Sequence, residues 1–384
     1  MKQLLVFTAF LQIFVGASAM GSEKPWYEKI SLRGYTQLRY NRLLETNGLL
    51  KCEQCDKSIG NNGGFFFRRG RLIFSGDVHD RVYIYIQPDF ASDGGAVSQI
   101  FQMRDAYFDV ALDAAKEFRF RLGQSKIPYG FENLQSSQNR APLDRADSLN
   151  SGVANERDIG VMFYWAPAEI RKRFRDLQNA SMKGSGDYGV FGLGIYNGQT
   201  ANRSEMNNNR HIVAKFTYPV ALPGDQIVEA GVSGYSGLFS TSANTEFADQ
   251  RVAGHFVWYP RPIGLVAEFT TGRGPMFRRD MGGTIQTENL SGGYVQLMGN
   301  IEKSDQRFTP FARLQFYHGG KKHETNAPKY IVRELEMGNE WSPFPAFELN
   351  AAYVISSRYV DSSTASAVND QQGNFLRLQA QFNY

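Results

Sequence analysis

The sequence predicts an all-β chain: a 16-stranded antiparallel transmembrane β-barrel with long loops at one end, the third folded inward. Three observations carry this. The chain is 14% aromatic and holds 38 glycines, yet its mean hydropathy is −0.39. Apolar and polar residues alternate with period two in segment after segment, as in strands with one greasy and one wet face. After the N-terminus no stretch approaches the ~18 consecutive apolar residues of a membrane helix, whereas about ten alternating residues cross a bilayer at a tilt.

Residues 1–19 read as a signal peptide. Met1-Lys2 is a positive start, Leu4 to Val15 is mostly apolar, and Ala17-Ser18-Ala19 is a small-residue cleavage site. Export and a mature barrel over residues 20–384 follow. The net charge of +4 falls to +3 without Lys2, which by itself implies no nucleic-acid partner. No Pro-rich, Ser-rich or single-sign charge tract divides the chain.

The first strand sets Ile30, Leu32, Gly34, Thr36, Leu38 and Tyr40 against Ser31, Arg33, Tyr35, Gln37 and Arg39. The second, Phe65 to Ser75, opposes Gly70, Leu72 and Phe74 to Arg69, Arg71 and Ser75. In the third, Val82, Ile84, Ile86 and Phe90 face outward and Tyr83, Tyr85, Gln87 and Asp89 inward. Met103 to Val110 puts Asp105, Tyr107 and Asp109 inward, and Phe118 to Leu122 does the same for Arg119 and Arg121. Eleven more strands are expected near 159–165, 189–196, 211–218, 227–235, 252–259, 263–271, 293–299, 308–317, 331–341, 347–358 and 375–384. An even count, and a last strand ending on an apolar face with Tyr384, suit an outer-membrane barrel.

Connections alternate short and long, as periplasmic turns and extracellular loops do. Long ones are expected at 46–63, 125–158, 198–209, 236–250, 272–290, 318–329 and 361–373. The loop at 125–158 lacks a clear helix or strand pattern, and such a loop is functional or disordered; here it is expected to narrow the lumen. Residues 166–187 break the alternation on the short side. They carry Arg171, Lys172, Arg173 and Arg175, and a solvated loop is expected there.

Strand parity sends Arg33, Arg39, Arg69, Arg71, Arg119, Arg121 and Arg313 into the lumen, and the inward loop adds Lys126, Arg140 and Arg145. Guanidiniums stay charged and suit phosphate or carboxylate, and rings of charge set pore selectivity. The alternative is that Arg–carboxylate pairs brace the wall. Arg68, Arg104 and Arg333 have lipid-side parity, where lipopolysaccharide phosphates or simple snorkelling would hold them. After an exported start, Cys52 and Cys55 are read as a disulfide at a loop tip.

With these residues in view, the chain resembles the phosphate-selective porin O and P family. The resembling stretches include residues 63–74, Ile86-Gln87-Pro88-Asp89-Phe90, Arg104-Asp105-Ala106-Tyr107, residues 122–130, Arg157-Asp158-Ile159-Gly160-Val161, Tyr196-Asn197-Gly198 and Thr309-Pro310-Phe311-Ala312-Arg313. The resemblance implies a trimeric outer-membrane channel whose basic residues conduct small anions such as phosphate. Membrane lipid, lipopolysaccharide and the barrel-assembly machinery are the partners expected with it, and no cofactor.

Against an enzyme, there is no G-x-S-x-G, H-E-x-x-H or Walker motif, and His79, His211, His255, His318 and His323 are dispersed. The competing readings are a diffusion channel without anion preference, an outer-membrane barrel hydrolase and a soluble all-β binding protein.

Overall fold

The structure, a computed structural model, describes residues 24–52, 55–57, 63–92, 99–152, 157–242 and 245–384. The expected signal peptide and its cleavage site lie outside them. In chain order the strands are β1 (Ser31–Leu43), β2 (Phe65–His79), β3 (Val82–Ala91), β4 (Ile100–Ala111), β5 (Phe118–Lys126), β6 (Arg157–Trp165), β7 (Phe191–Tyr196) and β8 (His211–Ala221). Then come β9 (Ile227–Ser242), β10 (Thr245–Trp258), β11 (Ile263–Arg278), β12 (Thr284–Gly299), β13 (Gln306–Gly320), β14 (Lys329–Phe344), β15 (Phe347–Asp361) and β16 (Asn369–Asn383). After Asn300 the short piece Ile301–Lys303 continues β12 and pairs with the same neighbour, β13. Each strand pairs antiparallel with its sequence neighbours, and β16 returns to β1, from Tyr35 opposite Asn383 to Leu43 opposite Leu376. Gly34 and Tyr384 exchange backbone hydrogen bonds of 2.6 and 3.0 Å across the seam. Closure leaves no edge, and in lipid an unpaired backbone group costs several kcal/mol.

The period of two appears as burial. In β8, His211, Val213, Lys215 and Thr217 are buried, while Ile212 and Phe216 are 57% and 49% exposed on the outer surface. All four tryptophans of the chain, Trp26, Trp165, Trp258 and Trp341, lie at the short-turn rim. Indole rings concentrate at membrane–water interfaces because one edge is apolar and the other donates a hydrogen bond. Trp258 and Trp341 donate theirs to Gln226 and Gln306.

Two arginines expected on the lipid side are not there. Opposite β1, Gln37 pairs with Arg69 but Leu38 pairs with Phe67, so Arg68 is an extra residue in β2. In β4, Arg104 is extra in the same way: Gln87 pairs with Asp105 and Pro88 with Met103. A bulge residue breaks the alternation and re-aims its side chain. Arg68 reaches Asp144 at 3.1 Å, and Arg104 lies 3.9 Å from Asp89; both carboxylates are lumenal. Arg333, on regular strand, stays exposed outside.

Residues 166–187 are a second correction. A helix docks where a solvated loop was expected; with α1 (Phe131–Leu134) and α2 (Asp147–Asn150) in the preceding connection, it is α3 (Ala168–Asn179). Ile170, Phe174 and Leu177 recur at i, i+4 and i+7 and are buried. Ile170 and Phe174 pack with Ala166 and Val190, beside Trp165. The Glu117 carboxylate accepts the Ala168 N–H at 2.8 Å, which satisfies an orphan donor at the positive end of the helix. The expected loops at 236–250 and 272–290 are largely strand: β9 and β10 run on to Ser242 and Thr245, and β11 and β12 to Arg278 and Thr284.

Candidate functional site

The connection between β5 and β6 passes inside the barrel. Gly130 opens it with φ +73°, and a Cβ there would lie 2.4 Å from Leu149 and 2.7 Å from Glu268, so only glycine fits. The next two backbone N–H groups, of Phe131 and Glu132, donate to the Glu268 carboxylate of β11 at 2.6 and 3.1 Å. Further along, the N–H of Asp147 donates to Gln315 of β13 at 2.8 Å. Arg358 of β15 holds the Asp147 carboxylate at 2.9 Å, and Lys321 pairs with it as well. Arg39 of β1 holds Asp144 at 2.8 Å, with Arg377 of β16 on the same carboxylate. A segment bonded to β1, β11, β13, β15 and β16 at once crosses the lumen. Its Ile127, Tyr129, Phe131 and Leu149 form one apolar cluster with the wall residues Met162, Tyr164, Tyr235 and Tyr294.

The sequence-expected basic residues divide into two groups. Five are held by carboxylates. Arg39 pairs with Asp144, and Arg71 with Asp89 at 2.9 Å. Arg119 meets Asp187 at 2.9 Å, and Arg121 grips Asp109 through two bonds of 2.7 and 2.9 Å. Arg313 bridges Glu132 at 2.9 Å and Glu336 at 2.7 Å. Burial alone would raise the Asp187 carboxyl, but the guanidiniums of Arg119 and Arg171 hold it well below the usual carboxylate range.

The others have no carboxylate bonded to them among the described residues, Arg145 aside. Arg69 donates to Gln37 at 2.8 Å, and the Lys126 ammonium to the carbonyls of Leu134 and Gln135 at 2.8 and 2.5 Å. Arg140 is buried, yet among the described residues none of its three guanidinium nitrogens meets a protein acceptor. Arg33 is exposed at the short-turn mouth of the lumen. Arg145 donates to the Glu132 carbonyl at 3.3 Å. Cys52 and Cys55 are joined as a disulfide, beside Asp56, whose carboxylate takes the Arg42 guanidinium.

Between the inward segment and the short-turn rim lies a cavity of about 1920 Å³. Lys126, Leu134 and Gln138 roof it, and Arg171 and Arg175 of α3 flank its mouth. Sequence reasoning missed Arg157, which lines this cavity and pairs with Asp105 at 2.8 Å, as well as the bulge residues Arg68 and Arg104. A bulge leaves no mark in an alternating pattern except two like residues in succession, as in Arg68-Arg69 and Arg104-Asp105.

A comparison with curated proteins found no match. Among solved structures, the outer membrane channel DcaP of Acinetobacter baumannii is 18% identical, with a TM-score of 0.53 over 92% of this chain and 97% of its own. Salmonella typhi OmpF, in complex with daunomycin, is 10% identical with a TM-score of 0.57, over 92% of this chain and 97% of its own. The anion-selective porin from Comamonas acidovorans is 9% identical with a TM-score of 0.51, over 92% and 99%. These likenesses are of fold. The family described as phosphate-selective porin O and P matches residues 51–251 and 235–384. A closed sixteen-stranded barrel, a lumen narrowed from within and this match, over most of the sequence, lead to one conclusion: the chain belongs to the phosphate-selective porin O and P family and is an outer-membrane channel rather than an enzyme.

Proposed function

We propose that the channel passes small hydrophilic solutes passively and prefers anions, phosphate among them. The charge of the vestibule carries this reading: among the described residues lining the cavity, eleven are basic and seven acidic. Above it, Arg69 and Arg140 add buried guanidiniums that have no bonded carboxylate among the described residues. In a constriction with low-dielectric walls such charges are weakly screened and raise the local concentration of anions. Their donors replace part of an anion's hydration shell as it passes.

A reversal-potential measurement in a planar bilayer with a KCl gradient tests it. The expected sign is chloride over potassium; a zero or potassium-directed potential would sink the reading. The second reading, diffusion without ion preference, is favoured by the pairing of Arg119, Arg121 and Arg157 with Asp187, Asp109 and Asp105, and predicts the zero value. We also propose a homotrimer, as the family resemblance implies. Light scattering of the detergent-solubilised protein measures that directly.

A further inference from the structure

We propose that the cavity beneath the inward segment is a binding vestibule for organic anions that carry a ring beside their charge. It rests on the anion preference proposed above and names a solute class for it. The observation is an aromatic wall whose polar groups are unspent. Tyr85 of β3 lies directly opposite Tyr107 of β4, and their rings stack at 5.2 Å and 9°. The Arg121 guanidinium covers the Tyr107 ring at 3.8 Å. Tyr107 is thus enclosed between a ring and a cation. On its other side Tyr85 faces Ser75 across the β2–β3 ladder, and a serine is too small to cover a ring face.

The hydroxyls do not close the network either. Tyr83, Tyr85, Tyr107 and Tyr188 all line the cavity, and none of the four hydroxyls has a hydrogen-bond partner in the protein among the described residues. The wall therefore offers phenol donors and an open ring face together, within a cavity that Arg33 and Lys126 also line.

This combination discriminates. An inorganic oxyanion uses the cations and phenol donors but gains nothing from a ring face. A neutral sugar uses the ring face and hydroxyls but not the cations. A phosphorylated sugar or an aromatic carboxylate uses all three. A ring against an aromatic face adds roughly a two- to tenfold preference.

The test is block of chloride current through the mature protein in planar bilayers. Inorganic phosphate, glucose 6-phosphate, benzoate and methyl glucoside are added in turn. Glucose 6-phosphate or benzoate should block at a roughly two- to tenfold lower concentration than phosphate; which one does so identifies the ring accepted. Tyr85→Ser combined with Tyr107→Ser should abolish that advantage, so that phosphate and the ring-bearing anions block at the same concentration. If the pair fails to insert, Tyr188→Ser, outside the strands, should reduce it alone. Equal block by phosphate and both ring-bearing anions overturns the proposal, as does an advantage that survives the tyrosine changes. So does equal block by methyl glucoside and glucose 6-phosphate. The reversal potential is read separately: a zero value there strikes the anion preference, while the comparison of blockers strikes the ring.

Discussion

Arg68 and Arg69 are consecutive in β2, yet both serve the lumen: Arg68 reaches Asp144 at 3.1 Å and Arg69 donates to Gln37 at 2.8 Å. The bulge opposite Leu38 makes this possible, since a regular strand would turn Arg68 to the outer face, away from the lumenal carboxylates. Arg104-Asp105 in β4 repeats the device. Bulges thus enrich this wall in charge beyond what alternation allows.

Selectivity should follow the bulges and not the parity of the sequence. Arg68→Gln and Arg104→Gln together should reduce chloride preference in the KCl gradient, with heat-modifiable migration on gels retained. Arg333→Gln, on the outer face, should leave the reversal potential unchanged. Equal effects of the inner pair and Arg333 would contradict the bulge assignment.

The carboxylate-held arginines should behave as braces. Arg121→Gln leaves the buried Asp109 without its two-bond partner, at a cost of about 3–5 kcal/mol. The urea midpoint for loss of the folded gel form should fall accordingly. Arg33→Gln, at an exposed position, should keep the midpoint and lower only the chloride preference. A midpoint unmoved by Arg121→Gln would mean that Asp109 finds another partner.

The fold was legible because a lipid-facing strand needs apolar residues at every second position, and that demand is written locally. All sixteen strands follow from this demand, as does the inward burial of Arg39, Arg119 and Arg313. Less was legible where geometry is not local. Which arginine meets which carboxylate depends on a loop crossing the lumen: Asp144 and Arg377 are far apart in sequence and pair only in the barrel. The helix at Ala168–Asn179 was readable from Ile170, Phe174 and Leu177, but the basic residues between them masked the apolar stripe. The tryptophan belt was equally visible once strand directions were known.

The helix leads to a prediction of its own. Its apolar face is small, so one truncation should release it. Phe174→Ala removes about 3 kcal/mol of packing, a roughly hundredfold rise in local opening. Trypsin should then cut at Lys172 or Arg175 far faster than in the unaltered protein, without loss of the barrel. An unchanged cleavage rate would mean the helix is held by Arg171 and its Asp187 partner rather than by Phe174.

The connection after β13 should loosen in acid. Residues 321–328 turn inward and hold the far end of the constricting segment. Lys321 pairs with Asp147, Lys322 with Asp249, and the Nε2–H of His323 donates to the Gly152 carbonyl at 3.3 Å. The His323 Nδ1 is buried without a partner among the described residues, the Phe239 ring lies edge-on at 5.2 Å, and Lys322 is adjacent. Burial, with the Lys322 charge second, pushes His323 well below its ordinary value. The sign follows. A docked His323 resists the proton that an undocked one takes near pH 6.5, so docking is strongest above that pH and weakens as pH falls below it. The loss is up to about 1.4 kcal/mol per pH unit, a tenfold change, until the docked histidine itself titrates. Amide protection factors of residues 321–328 should therefore fall between pH 7 and pH 5. Protection in His323→Gln should be much flatter across that range, since glutamine keeps a donor but has no proton to gain. Equal pH dependence in the variant would place the titrating group elsewhere, with His211, 3.3 Å from Asp249, the next to replace.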